Sequence, residues 1–298
     1  MGAPDGVPSS SPARGGDVNV DAQPDGEAVL VARDRGVVTV TLNRPQTLNA
    51  VTPDMERRYV EALREADADP AARVIVVTGA GRGFCSGADL SRLADTDALT
   101  CHVADRDAPA GDAAVRPVLP AAAMTVRKPV VAAVNGPVAG MGFALMMSCD
   151  VRFLAQDARV GTTFARLGLV AEYGLSWLLP RSIGRGHALE LLMSGRIIDS
   201  DEALRIGLVQ EVVTGQPVLD RALAWAHDVA DNCSPRSLAQ IKRQFYDDDP
   251  ATYADALSRS LAAMQASFGW GDLPEALAAR REKRAPGFKG LEPDDLHG

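Results

Sequence analysis

Two runs in this chain, VIVVTG (residues 74–79) and VVAAVNG (130–136), are apolar at almost every position and end on glycine. A strand with one wet face alternates apolar and polar residues. A strand apolar throughout is buried on both faces, which requires a largely parallel sheet covered by helices on either side. Each run opens directly into a glycine-rich turn. The first is Gly79-Ala80-Gly81-Arg82-Gly83-Phe84-Cys85-Ser86-Gly87-Ala88-Asp89-Leu90, and the second is Asn135-Gly136-Pro137-Val138-Ala139-Gly140-Met141-Gly142-Phe143. Glycine frees backbone N–H groups at a helix start from side-chain crowding, and such groups bind an oxyanion. Two turns of this kind can converge on one atom. Neither turn fits GxxxxGK(S/T), and no GxGxxG is followed by an acidic residue about 20 positions on, so a nucleotide cradle is not indicated.

The surrounding sequence supplies the rest of an α/β layered core. AVLV (28–31) and VVTVTL (37–42) are strand-like runs split by Asp34-Arg35-Gly36, a hairpin turn. Thr52-Pro53-Asp54 provides a cap, a first-turn proline and an acid that complements the helix dipole, which predicts a helix over 53–67 with Met55, Val60 and Leu63 inward. After residue 214 the pattern is helical only, over 217–231, 235–246, 251–268 and 272–284, with Leu257, Leu261 and Met264 at helical spacing. Residues 1–26 hold 16 Gly, Pro, Ser or Asp and cannot support a packed core. The expected organisation is a disordered tail over 1–27, a catalytic core over 28–213 and a helical oligomerisation region over 214–298. Residues 96–120 read as a long surface loop or a frayed helix.

Composition excludes several classes of partner. With 31 Lys and Arg against 39 Asp and Glu, the net charge of -8 gives no bulk attraction for phosphate backbones, so no nucleic acid is expected. The longest apolar stretches, 130–134 and 143–147, are five residues each, where a membrane span needs about 20, so no membrane is expected either. Cys85, Cys101, Cys149 and Cys233 form neither a CxxC pair nor a Cys/His cluster, so neither a disulfide framework nor a metal site is expected. The N-terminus shows no secretory signal, and the cytoplasm is the expected compartment.

The strings LNRPQTLNA (42–50), GRGFCSGADL (81–90), KPVVAAVNGPVAGMGFALMMSCD (128–150) and LGLVAEYGLSWLLPRSIG (167–184), in this order and spacing, closely resemble the crotonase superfamily of enoyl-CoA hydratases and isomerases. SGRIIDSDEALRIGLVQEVV (194–213) and REKRAPGF (281–288) also fit. The resemblance implies the α/β crotonase fold: repeated ββα units in two stacked sheets flanked by helices, with C-terminal helices assembling a homotrimer or a dimer of trimers. It implies an acyl-CoA substrate, with coenzyme A as part of that substrate and no separate cofactor.

By the same resemblance, the backbone N–H groups of Ala88 and Met141 polarise the thioester carbonyl, and losing one such donor typically costs about 3 kcal/mol. Met141 stands where glycine is usual, and its side chain is expected to narrow the acyl pocket. Leu48, the backbone from Ser86 through Gly87, Ala88 and Asp89 to Leu90, and Gly140 match positions that line the coenzyme A and carbonyl site. Lys283 matches a lysine that holds the coenzyme A phosphates, often from a neighbouring subunit, whereas Gln46 stands where a basic residue is common. Asp89 is also read as supporting the start of the helix after it.

Hydratases of the superfamily carry two glutamates at the positions of Ala144 and Phe164, so two-glutamate hydration is not supported here. Glu172 matches the single carboxylate base of several isomerases, including 3-enoyl-CoA to 2-enoyl-CoA isomerases, and burial near Phe164 and Leu169 is expected to raise its pKa. Cys85 has no histidine placed to activate it, Cys149-Asp150 reads as structural, and His102, His187, His227 and His297 are assigned no role. Three readings stay open: the isomerase, a divergent hydratase (lyase) or other CoA-thioester enzyme such as a hydrolase or decarboxylase, and a non-catalytic acyl-CoA binding protein.

Overall fold

The hairpin forms where the sequence marks it. β1 (Val29–Asp34) and β2 (Val37–Leu42) pair antiparallel, with Val29 opposite Leu42 and Asp34 opposite Val37. Arg35 (φ 41°) and Gly36 (φ 79°) form a two-residue turn with positive φ at both positions, the arrangement that suits strand twist. The structure is a computed structural model and describes residues 27–89, 119–248 and 270–291. The tail over 1–26, most of 96–120 and the expected helix 251–268 lie outside the described residues.

Helix α1 (Pro53–Ala68) begins as its capping residues predict: Thr52 Oγ1 accepts the Met55 N–H at 3.3 Å, and Pro53 fills the first turn. Met55, Tyr59, Leu63 and Ala66 recur at helical spacing and are buried. Strands β3 (Val74–Gly79) and β4 (Val130–Val134) are buried at every residue. With β6 (Val151–Ala155) and β9 (Glu211–Val213) they extend the hairpin into a six-stranded sheet of order β1-β2-β3-β4-β6-β9, parallel from β2 onward. The short strands β5 (Val138–Ala139), β7 (Val160–Gly161) and β8 (Ile197–Ile198) form a second, three-stranded sheet.

Alternation along the central strands sends their apolar residues to two cores. Ile75, Val77, Ala132 and Val134 join α1 and helix α3 (Met141–Ser148) on one face, beyond the short helix α2 (Ala122–Thr125). Val74, Val76, Val131 and Ala133 face the other way. They are covered there by Val218, Ala222, Ala226 and Val229 of α6 (Val218–Asn232), which follows α4 (Leu175–Ser194) and α5 (Ser200–Arg205). Residue 213 therefore marks a change in secondary structure and not in packing, because α6 closes the second face of its own sheet. α4 is two helices across a kink at Gly184 (φ 77°, ψ 156°).

Helix α7 (Pro235–Asp248) is tied to the core through Asp150. That carboxylate accepts the Val130 N–H at 2.8 Å and the Tyr246 hydroxyl at 3.1 Å, and pairs with Lys242 Nζ at 2.8 Å. The expected structural role of the Cys149-Asp150 step thus lies in the aspartate. After α8 (Asp272–Glu282) the chain returns to the core, where Arg73 donates to the Phe288 carbonyl at 2.7 Å.

Candidate active site

Two asparagines hold the first glycine turn in shape. Asn49 (φ 57°) is fully buried; its Nδ2 donates to the carbonyls of Ala80 (3.0 Å) and Gly83 (2.8 Å), while its Oδ1 accepts the Arg44 N–H at 2.8 Å. Asn135, at the mouth of the second turn, accepts the Gly79 N–H at 3.1 Å and donates to the Gly81 carbonyl at 2.9 Å. Sequence reading missed both, because Asn135 before Gly136 looks like an ordinary turn former and Asn49, between Leu48 and Ala50, carries no local signal. For Asn135, its position at the start of the second glycine turn was the available signal.

The two turns then join backbone to backbone. Phe84 donates to the Pro137 carbonyl at 3.1 Å, Ala139 donates to the Cys85 carbonyl at 3.0 Å, and Cys85 and Val138 form an isolated parallel bridge. Contact this close leaves no room for side chains: a Cβ on Gly142 would lie 2.3 Å from the Cys85 carbonyl oxygen. One on Gly87 (φ 104°) would lie 3.1 Å from the Ala139 oxygen and 3.5 Å from the Met141 nitrogen.

Around Ala88 the ladder is occupied on both sides. Val51 donates to the Gly87 carbonyl at 2.8 Å, and Asp89 donates to the Val51 carbonyl at 3.1 Å. Among the described residues, neither the Ala88 N–H nor the Met141 N–H donates a hydrogen bond, and both residues are half-exposed. Met141 opens α3 after Gly140 (φ 53°), so its N–H also sits at the positive end of a helix. Two fixed, unspent donors brought together by the turns suit an oxygen that gains negative charge.

Glu172 lies on a different kind of segment. A 3-10 turn, Phe164–Leu167, leads through Gly168 (φ 73°) to Tyr173 (φ 51°) and Gly174 (φ 71°), after which α4 begins. The Glu172 side chain is half-buried, and that burial pushes its pKa above the ordinary carboxylate value. Its neighbours Ala171 and Tyr173 pack against the same core that Met141 packs against. The expected surroundings are corrected in part: Phe164 is buried, but Leu169 is 41% exposed, because the backbone between Gly168 and Ala171 runs along the surface. Ala144 and Phe164 are both core residues.

The remaining candidates fall around the first turn, with one exception. Leu48 (φ 52°) accepts the Ser86 N–H at 2.9 Å, and Ser86 Oγ donates to the Thr47 carbonyl at 3.0 Å. The Asp89 carboxylate pairs with Arg44 at 3.1 Å, a tie between the two loops that was not foreseen. Leu90 lies outside the described residues, as do His102 and His297. Lys283 is exposed just past α8, well away in sequence from the turns. Burial pushes the Cys85 thiol up to about 12, which keeps it protonated and unreactive. Among the described residues no group of His, Cys, Asp and Glu is arranged to hold a metal ion, and no helix is long and apolar enough to cross a membrane.

Known proteins resemble this chain in sequence and in fold. The family model for enoyl-CoA hydratase/isomerase matches residues 32–291. The chain is 35% identical over 265 residues to a probable enoyl-CoA hydratase, echA8, of Mycobacterium tuberculosis, covering 88% of this chain and 98% of that one. It is 32% identical over 270 residues to a 1,2-epoxyphenylacetyl-CoA isomerase of Escherichia coli, covering 89% and 99%. Among solved structures, a probable enoyl-CoA hydratase/isomerase from Mycobacterium abscessus superposes with a TM-score of 0.78 at 35% identity, over 88% of this chain and 99% of that one. An enoyl-CoA hydratase from Bacillus anthracis reaches 0.80 at 28% identity, over 89% and 100%. With its crotonase fold, the family match over residues 32–291 and relatives of this identity and coverage, this chain belongs to the enoyl-CoA hydratase/isomerase family.

Proposed function

We propose that this protein is an acyl-CoA double-bond isomerase that converts 3-enoyl-CoA to 2-enoyl-CoA with Glu172 as its single base. The observation that carries this reading is the contrast between the carboxyl of Glu172, half-buried and raised in pKa, and the apolar residues Ala144 and Phe164 at the two hydratase glutamate positions. A hydratase must both activate water and protonate carbon; an allylic shift needs only one group that gives back what it takes. Glu172 removes a proton from C2. The electron pair moves to the thioester oxygen, where the Ala88 and Met141 N–H groups stabilise the dienolate, and the same proton returns to C4 while the double bond settles between C2 and C3.

Coenzyme A arrives as part of the substrate, and no separate cofactor is needed. Lys283 and the edge formed by Leu48 and Ser86–Asp89 are its proposed contacts. The exposed apolar side chains Val170, Met193 and Ile197 support assembly into a homotrimer or a dimer of trimers. Free Cys85, Cys149 and Cys233 support a reducing, cytoplasmic setting.

A divergent hydratase is the second reading, favoured by the names of several relatives. The two are separated by giving purified protein a 3-enoyl-CoA and a 2-enoyl-CoA in turn. Isomerisation abolished by Glu172→Gln, with no hydration by either protein, is the expected result; robust hydration that survives the substitution would overturn it. Tight acyl-CoA binding with no turnover of any substrate would favour a binding protein instead.

A further inference from the structure

We infer that the Met141 side chain determines acyl specificity at the thioester itself, admitting straight acyl groups and excluding those branched at the carbon next to the carbonyl. The inference rests on the reading that Ala88 and Met141 hold the thioester oxygen.

Of Ala88, Met141 and the residues on either side of each, Gly87, Asp89, Gly140 and Gly142, only Asp89 and Met141 carry a side chain longer than a methyl group, and the Asp89 carboxylate is paired with Arg44 at 3.1 Å. The hole is therefore lopsided: one donor residue bears a methyl group and the other a four-atom thioether chain. Helical geometry fixes where that chain starts. Met141 is the first residue of α3, and the Cα–Cβ bond of a helical residue tilts toward the helix N-terminus, which is also the end on which its unspent N–H opens. A Cβ stands about 2.5 Å from its own nitrogen, and an accepted oxygen about 2.9 Å from it. The side chain thus begins beside the bound carbonyl, within reach of whatever is attached to C2.

Its retreat is limited. Met141 is half-buried and packs against the main core, while Gly140 (φ 53°) and Gly142, whose Cα has the Cys85 backbone against it, fix the chain on either side. Methionine adapts to the shape beside it, so an unbranched chain can be accommodated along it, but a methyl group on C2 competes for the same volume. Shortening the side chain leaves the backbone donor in place, and binding of ligands that cannot react reads the pocket without reading turnover.

The test is calorimetric binding of two saturated thioesters, butyryl-CoA and 2-methylbutyryl-CoA, to the natural protein, Met141→Ala and Met141→Leu. Neither ligand can isomerise, so the result does not depend on Glu172. The natural protein is expected to prefer the straight ligand at least about tenfold, the lower end of what one misfit methyl group costs in an apolar pocket. Met141→Ala is expected to bring the two ligands within about threefold, and Met141→Leu, similar in volume, to keep the preference. An unchanged preference in Met141→Ala, or none in the natural protein, would overturn the inference. Binding of neither ligand by any of the three proteins would overturn the thioester reading beneath it as well.

Discussion

A methyl group added to Gly79, Gly136 or Gly142 would stand 2.1–2.3 Å from a carbonyl oxygen, whereas one added to Gly168 or Gly174, on either side of Glu172, would meet nothing within 4 Å. The first three belong to the turns that carry the proposed oxyanion donors, and the other two to the segment that carries the proposed base. Stabilising charge on an oxygen depends on donors that are fixed before the reaction begins, and close backbone packing supplies that fixity. A base segment with room around it can be rebuilt without disturbing the donors. The difference gives a physical reason why one scaffold can serve several reactions on the same kind of thioester.

The comparison breaks most sharply at Gly142. Gly142→Ala forces a Cβ into the Cys85 carbonyl, 2.3 Å away, and is expected to cost about 3 kcal/mol or more of stability. Urea unfolding checks this, and an unchanged midpoint would contradict the claim that the turns have no slack. Asn49→Ala removes two donated bonds and one accepted bond around the first turn and leaves a non-glycine residue at φ 57°. A loss of about 2–3 kcal/mol is expected, with weaker acyl-CoA binding measured on the protein that remains folded. Gly174→Ala meets no neighbour and pays only for its φ of 71°, about 1 kcal/mol by the same unfolding measurement.

The smallest effects come from the charge on Glu172. Because its folded pKa is raised, the folded protein holds the proton more tightly than the unfolded chain, so this group's contribution to stability becomes unfavourable as pH rises from the ordinary carboxylate value through the raised one. Glu172→Gln should therefore melt at a slightly higher temperature than the natural protein at about pH 7, and the advantage should vanish near pH 3, below the ordinary carboxylate value. Activity follows the opposite sense: the base must be ionised, so the rate falls as pH drops, and the fall begins at higher pH than an ordinary carboxylate would give.

Much of this architecture was legible because its signals are local. Two apolar runs meant strands buried on both faces, Arg35-Gly36 meant a tight hairpin, and Thr52-Pro53 meant a helix start; all three are found within a residue or two of the expected bounds. A second sheet was implied only by the family resemblance, and its three strands could not be located from the residues, since each is two residues long, too short to show any period. The asparagine clamps and the Arg44–Asp89 pair were hidden for another reason: each joins residues 30 or more positions apart, and the partners exist only once the loops have met. Asp89 was read as serving the helix after it because that neighbour is visible in sequence and Arg44 is not. Glu172 is proposed from its place in a motif, while the exposure of Leu169 depends on the path of the backbone after Gly168.

The central claim is that one carboxyl group both takes and returns the proton above a fixed pair of donors. The most direct measurement is to supply 3-enoyl-CoA deuterated at C2 and analyse the product by mass spectrometry and NMR. The account predicts 2-enoyl-CoA carrying deuterium at C4, with no 3-hydroxyacyl-CoA formed. Complete loss of the label to solvent, together with addition of water across the double bond, would contradict it.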